Sequence, residues 1–416
     1  MRSVKGTRDL LPPETAVWQW VEATARRVFA GYGYGEVRTP ALEPTELFVR
    51  GVGEATDIVG KQMYTFADRK GRSLTLRPEG TAPVARAVVQ HGLAHGPLPL
   101  KLFYIGSHFR YERPQKGRYR EFHQIGAELI GDPGPHSDAE VIAMLVRFLD
   151  ELGFSDLVVL LNTVGDERSR AGFREALVEY LAPRRAELSA ESRRRLEDNP
   201  LRILDTKSRR ERRLLEGAPR LDDHLTQESR VHFDELRGLL DRLGVAYRRE
   251  PRLVRGLDYY TRTVFEIVSE GLGAQDPLDG RGRKVGLVEE RGGEDLPGIG
   301  FAIGEDRLVE VLPEASRERA LPPAPDVVIP AGEVGAGGAL VLAEELRRAG
   351  AGVVAELGGR SLRAALKQAS RSGARHALLL GDEELAAGVV TVKDLETGEQ
   401  RQIAREEVAR WLTAGG

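Results

Sequence analysis

Five basic side chains crowd into the stretch Phe109–Gln124, which reads FRYERPQKGRYREFHQ and contains few acids. They are Arg110, Arg113, Lys116, Arg118 and Arg120. Alternating residues on either side predict two strands, KLFYIGSHFRYE and YREFHQIGAELIG, joined by a turn at PQKGR. Arginine stays charged, and its planar fork binds phosphate oxygens in pairs. The stretch therefore suits a polyphosphate substrate, with a solvated charged hairpin as the alternative.

Acceptor side chains flank this hairpin in the sequence. Gln124 and Glu128 are four residues apart on the second predicted strand, so they share one face of a period-two element. Upstream, the strand SLTLR runs into RPEGT, and a helix is predicted to start near Ala82. Glu79 would accept from the ammonium group of a substrate, with Thr81 beside it. Helix capping is the alternative for both residues.

The composition limits what these residues can do. The chain has 416 residues, 41% of them hydrophobic, which predicts two or three domains with real cores. It has no cysteine, so disulfides, thiolate metal sites and cysteine nucleophiles are excluded. The eight scattered histidines do not form a zinc pattern. The net charge of −3 requires any nucleic-acid surface to be local.

Four segments are expected along the chain. Residues 1–165 and 244–320 form an α+β domain on an antiparallel sheet with flanking helices. Residues 166–243, helical in pattern and rich in charge, form an insertion. After a linker at LPPAP, residues 325–416 alternate between strand and helix patterns and form a small α/β domain. No apolar run is long enough for a membrane span, and the N-terminus lacks a signal-peptide core, which favours the cytoplasm.

Several of these segments together resemble class II aminoacyl-tRNA synthetases, and specifically the histidyl-tRNA synthetase family. VRTPALEPTELF (Val37–Phe48) looks like the first motif of that class, the arginine-rich hairpin like the second, and GIGFAIGEDR (Gly298–Arg307) like the third. RGLDYY (Arg255–Tyr260) and KGTRD (Lys5–Asp9) are the parts most specific to the histidyl branch. The resemblance covers nearly the whole chain, in the order of the family.

The resemblance implies ATP-dependent ligation of histidine to tRNA(His) by a cytoplasmic homodimer whose C-terminal domain binds the anticodon. The α-phosphate would be contacted by Arg110 and Arg255, and the far phosphates by Arg307 and Arg118, with Glu112 also at ATP. The histidine pocket would be lined by Glu79, Thr81, Gln124, Glu128, Tyr259 and Tyr260. Arg113 and Gln115 would face the tRNA acceptor end. Mg²⁺ would be held mainly by the phosphates, since the sequence shows no carboxylate cage.

The basic residues of the insertion are a further candidate for tRNA contact. Residues 166–220 hold 15 Arg or Lys against 11 Asp or Glu, densest at Arg193–Arg195 and from Lys207 to Arg213. Because acidic residues interleave with them, solvated helix faces are an equal alternative to phosphate contacts.

One stretch departs from the family pattern. Where the family has a run like GGGRYDGL, residues 280–287 read GRGRKVGL. Lys284 replaces a tyrosine that packs against the substrate imidazole, Val285 an aspartate, and Arg281 a glycine. A lysine ammonium cannot reproduce the ring contact, so weaker histidine binding or a rearranged loop is expected.

Two other functions stay open from the sequence. A non-catalytic paralogue that regulates histidine biosynthesis would explain Lys284, but it would need neither the arginine set nor the C-terminal domain. A class II synthetase for another amino acid would keep the ATP arginines, but RGLDYY and the Gln124/Glu128 pair speak against it.

Overall fold

A computed structural model describes residues 2–52, 58–114, 117–206, 208–251, 253, 260–269, 282–286, 288–289 and 292–414. The chain divides into two compact units, residues 1–320 and residues 321–416. Within the described residues, none of the helices combines the length and apolar character that crossing a membrane requires.

The first unit is built from eleven strands and ten helices among the described residues. The strands are β1 Gly35–Glu36, β2 Leu42–Pro44, β3 Tyr64–Ala67, β4 Ser73–Leu76, β5 Leu100–Phe109, β6 Glu121–Ile130, β7 Leu157–Thr163, β8 Tyr247–Arg249, β9 Tyr260–Ser269, β10 Gly282–Lys284 and β11 Gly298–Gly304. The helices are α1 Glu14–Gly31, α2 Thr45–Val52, α3 Thr81–Gln90, α4 Pro135–Glu151, α5 Glu167–Leu181, α6 Ala190–Asp198, α7 Arg209–Leu214, α8 Gln227–Arg242, α9 Glu305–Glu310 and α10 Glu314–Ala320.

An eight-stranded sheet organises this unit, with the order β1-β5-β6-β11-β10-β9-β7-β8. Its pairs are antiparallel except at the two edges, where β1 pairs with β5 and β7 with β8 in parallel. A separate three-stranded antiparallel sheet has the order β2-β4-β3. The predicted antiparallel sheet with flanking helices is therefore present, with parallel edges that the sequence pattern did not predict.

The two faces of the large sheet differ in character because side chains alternate along each strand. On β6, Ile125, Ala127 and Leu129 belong to the main core, whereas Gln124 and Glu128 lie on the other face. Helices α1 and α4 cover the core face. One face of the sheet thus packs on the main core, and the other carries the polar residues beside a smaller apolar cluster that includes Tyr104 and Ile130.

Phe29 of α1 is the centre of that core. Its ring meets Phe103 of β5 and Phe148 of α4 at 5.4 Å between centroids, and Phe301 of β11 at 5.8 Å, each in edge-on geometry. Such pairs add to the free energy gained by burying the rings. The apolar residues of α1 recur at helical spacing, and this spacing lets one side of α1 pack on the sheet.

One local prediction was wrong. The arginine-rich stretch is not a tight hairpin, because β5 ends at Phe109 and β6 begins only at Glu121. A backbone bond from Arg110 N to Arg120 O, 2.9 Å long, closes the base of the connecting loop.

The run from Gly35 to Pro44 contains two short strands, β1 and β2, which join different sheets. Pro40 lies between them, and its ring removes the N–H that a continuous ladder needs.

The charged segment from residue 167 to residue 242 contains α5 to α8, with short 3₁₀ turns between them. Its own core is formed by Leu177, Leu181, Leu188, Leu196 and Ile203. Asp166 caps α5 through Ser169 N at 2.8 Å and also accepts from the Thr226 hydroxyl at the start of α8. The first and last helices of this segment are thus tied together at one carboxylate.

The second unit is a five-stranded mixed sheet with helices on both sides. Its elements are β12 Asp326–Pro330, α11 Gly335–Arg348, β13 Val353–Ala355, α12 Leu362–Arg371, β14 His376–Leu380, α13 Asp382–Ala387, β15 Val389–Asp394, β16 Gln400–Ala404 and α14 Arg405–Thr413. The strand order is β13-β12-β14-β15-β16. Helices α11 and α12 pack against opposite faces of the sheet, as expected for a small α/β domain.

Candidate active site

The polar face of the large sheet forms a trough that lacks side chains at several positions. Gly106, Gly126, Gly300 and Gly304 lie on this face of β5, β6 and β11, as the strand register shows. The ring of Tyr104 lies directly over Gly126, where a Cβ would be 2.3 Å from its Cζ atom. The trough is therefore floored by backbone and walled by a few large side chains.

Glu128 stands in this trough because Gly300 on the neighbouring strand has no side chain. The two residues are paired in register, and a Cβ on Gly300 would be 2.2 Å from Glu128 Oε2 and 2.3 Å from Ala127 O. No flexible group could yield at Ala127 O, which is backbone. The glycine thus lets the carboxylate lie across β11 toward β10.

On β10 the carboxylate meets a buried cation. Lys284 Nζ is 2.9 Å from both Glu128 Oε1 and Glu128 Oε2, and 3.0 Å from Thr81 Oγ1. Thr81 Oγ1 donates in turn to Glu128 Oε1 at 2.6 Å. The side chains of Lys284 and Glu128 are 0% and 3% exposed. Two predicted pocket residues, Thr81 and Glu128, are therefore brought together, but a lysine of the same chain already binds them.

Glu79 lies beside this cluster and caps helix α3. One of its oxygens accepts from Thr81 N at 2.8 Å and the other from Ala82 N at 2.7 Å. Both amides belong to the first turn of the helix, where backbone donors have no partner within the helix. Glu79 therefore caps α3, as the alternative from the sequence had it. The contact of Glu79 with a substrate ammonium group stays a prediction.

Gln124 is a further buried acceptor in the trough. It is 4% exposed, and its Oε1 atom has no hydrogen-bond partner among the described residues. A buried amide oxygen without a donor costs roughly 1–3 kcal/mol. The residue is therefore suited to accept from a bound substrate.

The arginines stand at the other end of the trough. Arg110 follows β5, its Nε donates to Pro78 O at 2.9 Å, and its Cζ is 5.1 Å from the Phe122 ring centroid. Arg307 follows β11 on helix α9, and its Cβ and Cγ lie 3.9 Å from the Cβ that Gly117 would carry. The third-motif arginine is thus placed against the loop of the second motif. The same loop leaves Arg113 and Arg118 exposed and Glu112 half-buried.

Asp306, next to Arg307, holds this end of the site together. Its carboxylate accepts from the His123 backbone at 2.7 Å and from Arg8 of the KGTRD stretch at 3.2 Å. Burial raises the pKa of Asp306, but the hydrogen bonds from His123 and Arg8 outweigh it and lower the pKa. Asp306 is therefore an anion that joins the N-terminal stretch, β6 and α9.

His108 lies under the arginines as a neutral ring. It is fully buried, and burial together with the nearby charges of Arg77 and Arg110 lowers the pKa of His108 well below its usual range. Arg77 itself crosses Gly106 and donates to Ser107 O at 2.8 Å and to Thr39 O at 2.9 Å. The arginine of RPEGT thus serves to join three chain segments.

Some predicted site residues lie outside the described residues, namely Arg255, Tyr259 and Gln115, and so does Arg281. Tyr260 is described: it is 4% exposed and packs in a cluster with Val164, Leu253 and Val264. The structure therefore places Tyr260 in apolar packing.

Tyr104, His108 and the Lys284 contact were not assigned to the site from the sequence. A large aromatic residue facing glycine across a strand pair was the available signal for Tyr104. For Lys284 the signal was its departure from the family pattern, which did not reveal its partners, because Glu128 and Thr81 come from distant parts of the chain. His108 had no such signal. Over the described residues, no group of three or more His, Asp or Glu side chains is arranged to hold a metal ion.

The insertion presents its basic residues to solvent. Arg193, Arg194, Arg209, Arg210, Arg212 and Arg213 are exposed. Three of them, Arg209, Arg210 and Arg213, line an open cavity of about 470 Å³ with Glu187 and Leu214. Arg195 is partly paired, to Glu191 at 2.5 Å. The cluster at 209–213 is thus the more accessible of the two predicted phosphate contacts, and Lys207 lies outside the described residues.

The sequence and fold match known proteins along almost the entire chain. Residues 6–308 match the model of histidyl-tRNA synthetases and residues 327–414 that of an anticodon binding domain. The histidine–tRNA ligase of Synechococcus elongatus is 50% identical over 410 residues, which cover 98% of this chain and 94% of that protein. The ligase of Halorhodospira halophila is 51% identical over 405 residues, covering 96% and 95%. The crystal structure of apo histidyl-tRNA synthetase from S. aureus superposes with a TM-score of 0.83 at 35% identity, covering 99% of both chains. The family and the fold class predicted from the motifs are confirmed, and this chain belongs to the histidyl-tRNA synthetase family.

Proposed function

We propose that the chain is a histidine–tRNA ligase. In the first step the histidine carboxylate attacks the α-phosphorus of ATP, forming histidyl-adenylate and releasing pyrophosphate. In the second step the terminal ribose hydroxyl of tRNA(His) attacks the carbonyl carbon, and AMP leaves. Neither step needs a nucleophilic side chain, which agrees with a site made of cations and hydrogen-bond acceptors.

The observation that carries this proposal is the glycine-floored trough with Arg110 and Arg307 at one end and Gln124, Thr81 and Glu128 at the other. An aminoacyl-adenylate, whose single phosphoryl group is bonded to the amino acid, places an anion beside an amino-acid moiety, as this arrangement requires. Relatives named histidine–tRNA ligase at about half identity favour the ligase over the regulatory paralogue. The proposal of another amino acid has no feature of the described site in its favour.

The arginines supply charge stabilisation during the first step. Negative charge builds on the α-phosphate oxygens as the carboxylate approaches, and preorganised cations lower that barrier. We assign this role to Arg110, together with Arg255 outside the described residues. Arg307 and Arg118 bind the far phosphates, and the packing of Arg307 on Gly117 supports that assignment.

The acceptors recognise histidine. Gln124 accepts from the ammonium group with an oxygen that no described residue uses. Glu79 and Thr81 complete that contact, although Glu79 also caps α3. Glu128 accepts from the imidazole N–H, and Tyr259 and Tyr260 form part of the pocket wall. For Tyr260 the apolar cluster around it favours a role in shaping the wall over direct contact.

The remaining components follow from the chemistry of the substrates. Mg²⁺ enters with ATP and is held mainly by phosphate oxygens. Arg113 and Gln115 face the acceptor end of the tRNA, while Arg209, Arg210 and Arg213 of the insertion contact its phosphates. The protein works in the cytoplasm as a homodimer, with the second unit on the anticodon loop.

ATP–pyrophosphate exchange, with each amino acid offered separately and no tRNA, tests the activation step. We expect histidine alone to drive exchange. Arg110→Ala should slow it about 100-fold, as losing one preorganised donor to a developing charge does. Exchange driven by another amino acid, or by none from folded protein that binds ATP, would contradict the proposal.

Arg72→Ala is the matched control, because Arg72 is an exposed arginine paired only to Asp68 in a surface turn. Its exchange rate should equal that of the unmodified protein. Arg113→Ala should reduce transfer of histidine to tRNA more than it reduces exchange, because Arg113 is placed at the tRNA.

A further inference from the structure

Lys284 carries an ammonium group that is completely enclosed and fully paired. Its three N–H donors face three acceptor atoms within 3.0 Å: both oxygens of Glu128 and the hydroxyl of Thr81. The side chain is 0% exposed. An enclosed cation with every donor satisfied has no contact left to offer a ligand.

The fold holds Lys284 in this position through its neighbour in the chain. Arg283 points to the core face, where it donates to Asp138 of α4 at 2.6 Å and to Asp132 O and Gly134 O at 2.7 Å. Strand β10 pairs with β11 and β9, with Lys284 opposite Gly298 and Tyr260. The backbone that carries Lys284 is therefore fixed from three directions.

The partners of Lys284 are the side chains that an amino-acid substrate needs. Glu128 is the acceptor assigned to the imidazole N–H, and Thr81 lies beside the ammonium position. Each Glu128 oxygen already accepts from Lys284, and Oε1 also accepts from Thr81. Oε2 keeps one lone pair free of these donors, but the Glu128 side chain is only 3% exposed and lies against the ammonium. A substrate donor therefore reaches the carboxylate only where Lys284 gives way. Gln124 Oε1 is an acceptor of the trough for which no described residue competes.

We propose that Lys284 lowers the affinity for the amino-acid substrate by competing with it for Glu128 and Thr81. The inference rests on the proposed function, because it concerns the same pocket. Substrate binds to molecules in which the ammonium has left the carboxylate, so the apparent dissociation constant rises as that fraction falls. Lys284 therefore makes binding of histidine weaker than the acceptor set alone would allow.

The test measures histidine binding by calorimetry, and the KM for histidine in ATP–pyrophosphate exchange, for the full chain and two variants. Lys284→Met removes the cation and keeps an unbranched side chain of similar length. It should lower both constants about tenfold or more. Adding Glu128→Gln to Lys284→Met should cancel the gain, because the freed acceptor is then lost. Constants that are unchanged or higher in folded Lys284→Met would overturn the proposal.

Lys101→Met is the matched control. Lys101 lies on β5 and pairs with Glu140 at 2.6 Å, on the core face of the sheet and away from the trough. Removing this lysine should leave both histidine constants unchanged. An equal gain in Lys101→Met would assign the effect to net charge and overturn the role of Lys284.

Lys284→Gln covers the case in which Lys284→Met does not fold because Glu128 is left buried and unpaired. Glutamine keeps an N–H donor for the carboxylate and lacks the charge, and tighter histidine binding is again expected.

The proposed function and the inference fail in different ways. Exchange in the unmodified chain with the same KM in the Lys284 variants overturns only the inference. Exchange that appears only in the variants supports it, and no exchange or histidine binding in any protein overturns both.

Discussion

The lack of a side chain at Gly300 is what allows Glu128 to reach Lys284, and Gly300→Ala tests that statement directly. The added Cβ would stand 2.2 Å from Glu128 Oε2 and 2.3 Å from Ala127 O. The backbone oxygen is held by the strand, so the carboxylate has to move off β11. The ion pair with Lys284, which is fully buried, then breaks. Separating one partner of a buried pair costs about 3–5 kcal/mol of folding free energy.

Gly304→Ala is the matched control on the same strand. Nothing lies within 4 Å of the Cβ that this residue would gain, and its backbone has φ −73° and ψ 107°, which alanine adopts without strain. The expected change in the free energy of unfolding is within about 1 kcal/mol, on the stabilising side. The pair of variants therefore separates the close contacts at Gly300, with Glu128 and with Ala127 O, from the general effect of a methyl group on β11.

Hydrogen exchange of the intact protein, resolved by peptide, measures the effect. Peptides from β6 and β11 should lose protection by about 3–5 kcal/mol in Gly300→Ala. Peptides from β12 and β14 in the second unit should not change, which provides an internal reference. Equal protection of β6 in the two variants would show that the Glu128 carboxylate does not lie across β11, and the description of the pocket would be wrong.

Three further perturbations follow from buried or capping carboxyl groups. Glu305 is fully buried, with no partner for either oxygen among the described residues, and burial, with the charges of Glu22 and Asp306, raises its pKa. Because the pKa of Glu305 is raised in the folded state, its contribution to stability is present at low pH and is lost as pH rises toward the folded pKa. Glu305→Met should therefore raise the free energy of urea unfolding by about 1–3 kcal/mol at pH 8 and make that free energy depend less on pH. Equal pH profiles for the two proteins would refute this assignment. Burial raises the pKa of Asp166, but hydrogen bonds from Thr226, Ser169 and Ser229 outweigh it and lower the pKa, so its stabilisation is present above pH of about 4 and lost as pH falls further. Asp166→Ala should cost about 1 kcal/mol at pH 7, with a smaller difference in acid, and a difference that grows in acid would contradict the assignment. Asp138→Ala leaves Arg283, 1% exposed, without its carboxylate and should cost about 3–5 kcal/mol in thermal unfolding; a loss below 1 kcal/mol would show that Arg283 finds another partner.

Much of the site follows from local patterns in the sequence. Alternation along residues 121–130 is enough to place Gln124 and Glu128 on one face, because successive side chains of a strand point to opposite sides. The start of α3 after RPEGT and the strand-to-helix change at Gly304 are likewise local, since they depend on capping and on glycine. The predicted turn at PQKGR was wrong. One glycine and one proline in a charged stretch do not determine how many residues between the two strands lie outside the strand ladder.

The pairing of acceptors with a lysine could not be read from any local pattern. Lys284 and Glu128 are 156 positions apart, and their contact depends on β11 lying between β6 and β10 with a glycine at the crossing point. The neutral state of His108 has partly the same origin, since it reflects burial and the charge of Arg77 from another segment, together with that of Arg110, two residues along the chain.

The sequence by itself determined the family, the types of the elements and the chemical character of the site, because motif spacing, periodicity and side-chain chemistry are local properties. Only the tertiary structure decided which donors those acceptors meet. Strand order and register bring distant residues within 3 Å of each other. These contacts decide whether a buried polar group is already hydrogen-bonded within the protein or can bind a substrate. In this protein Glu128 is satisfied by Lys284, and Gln124 Oε1 has no partner among the described residues.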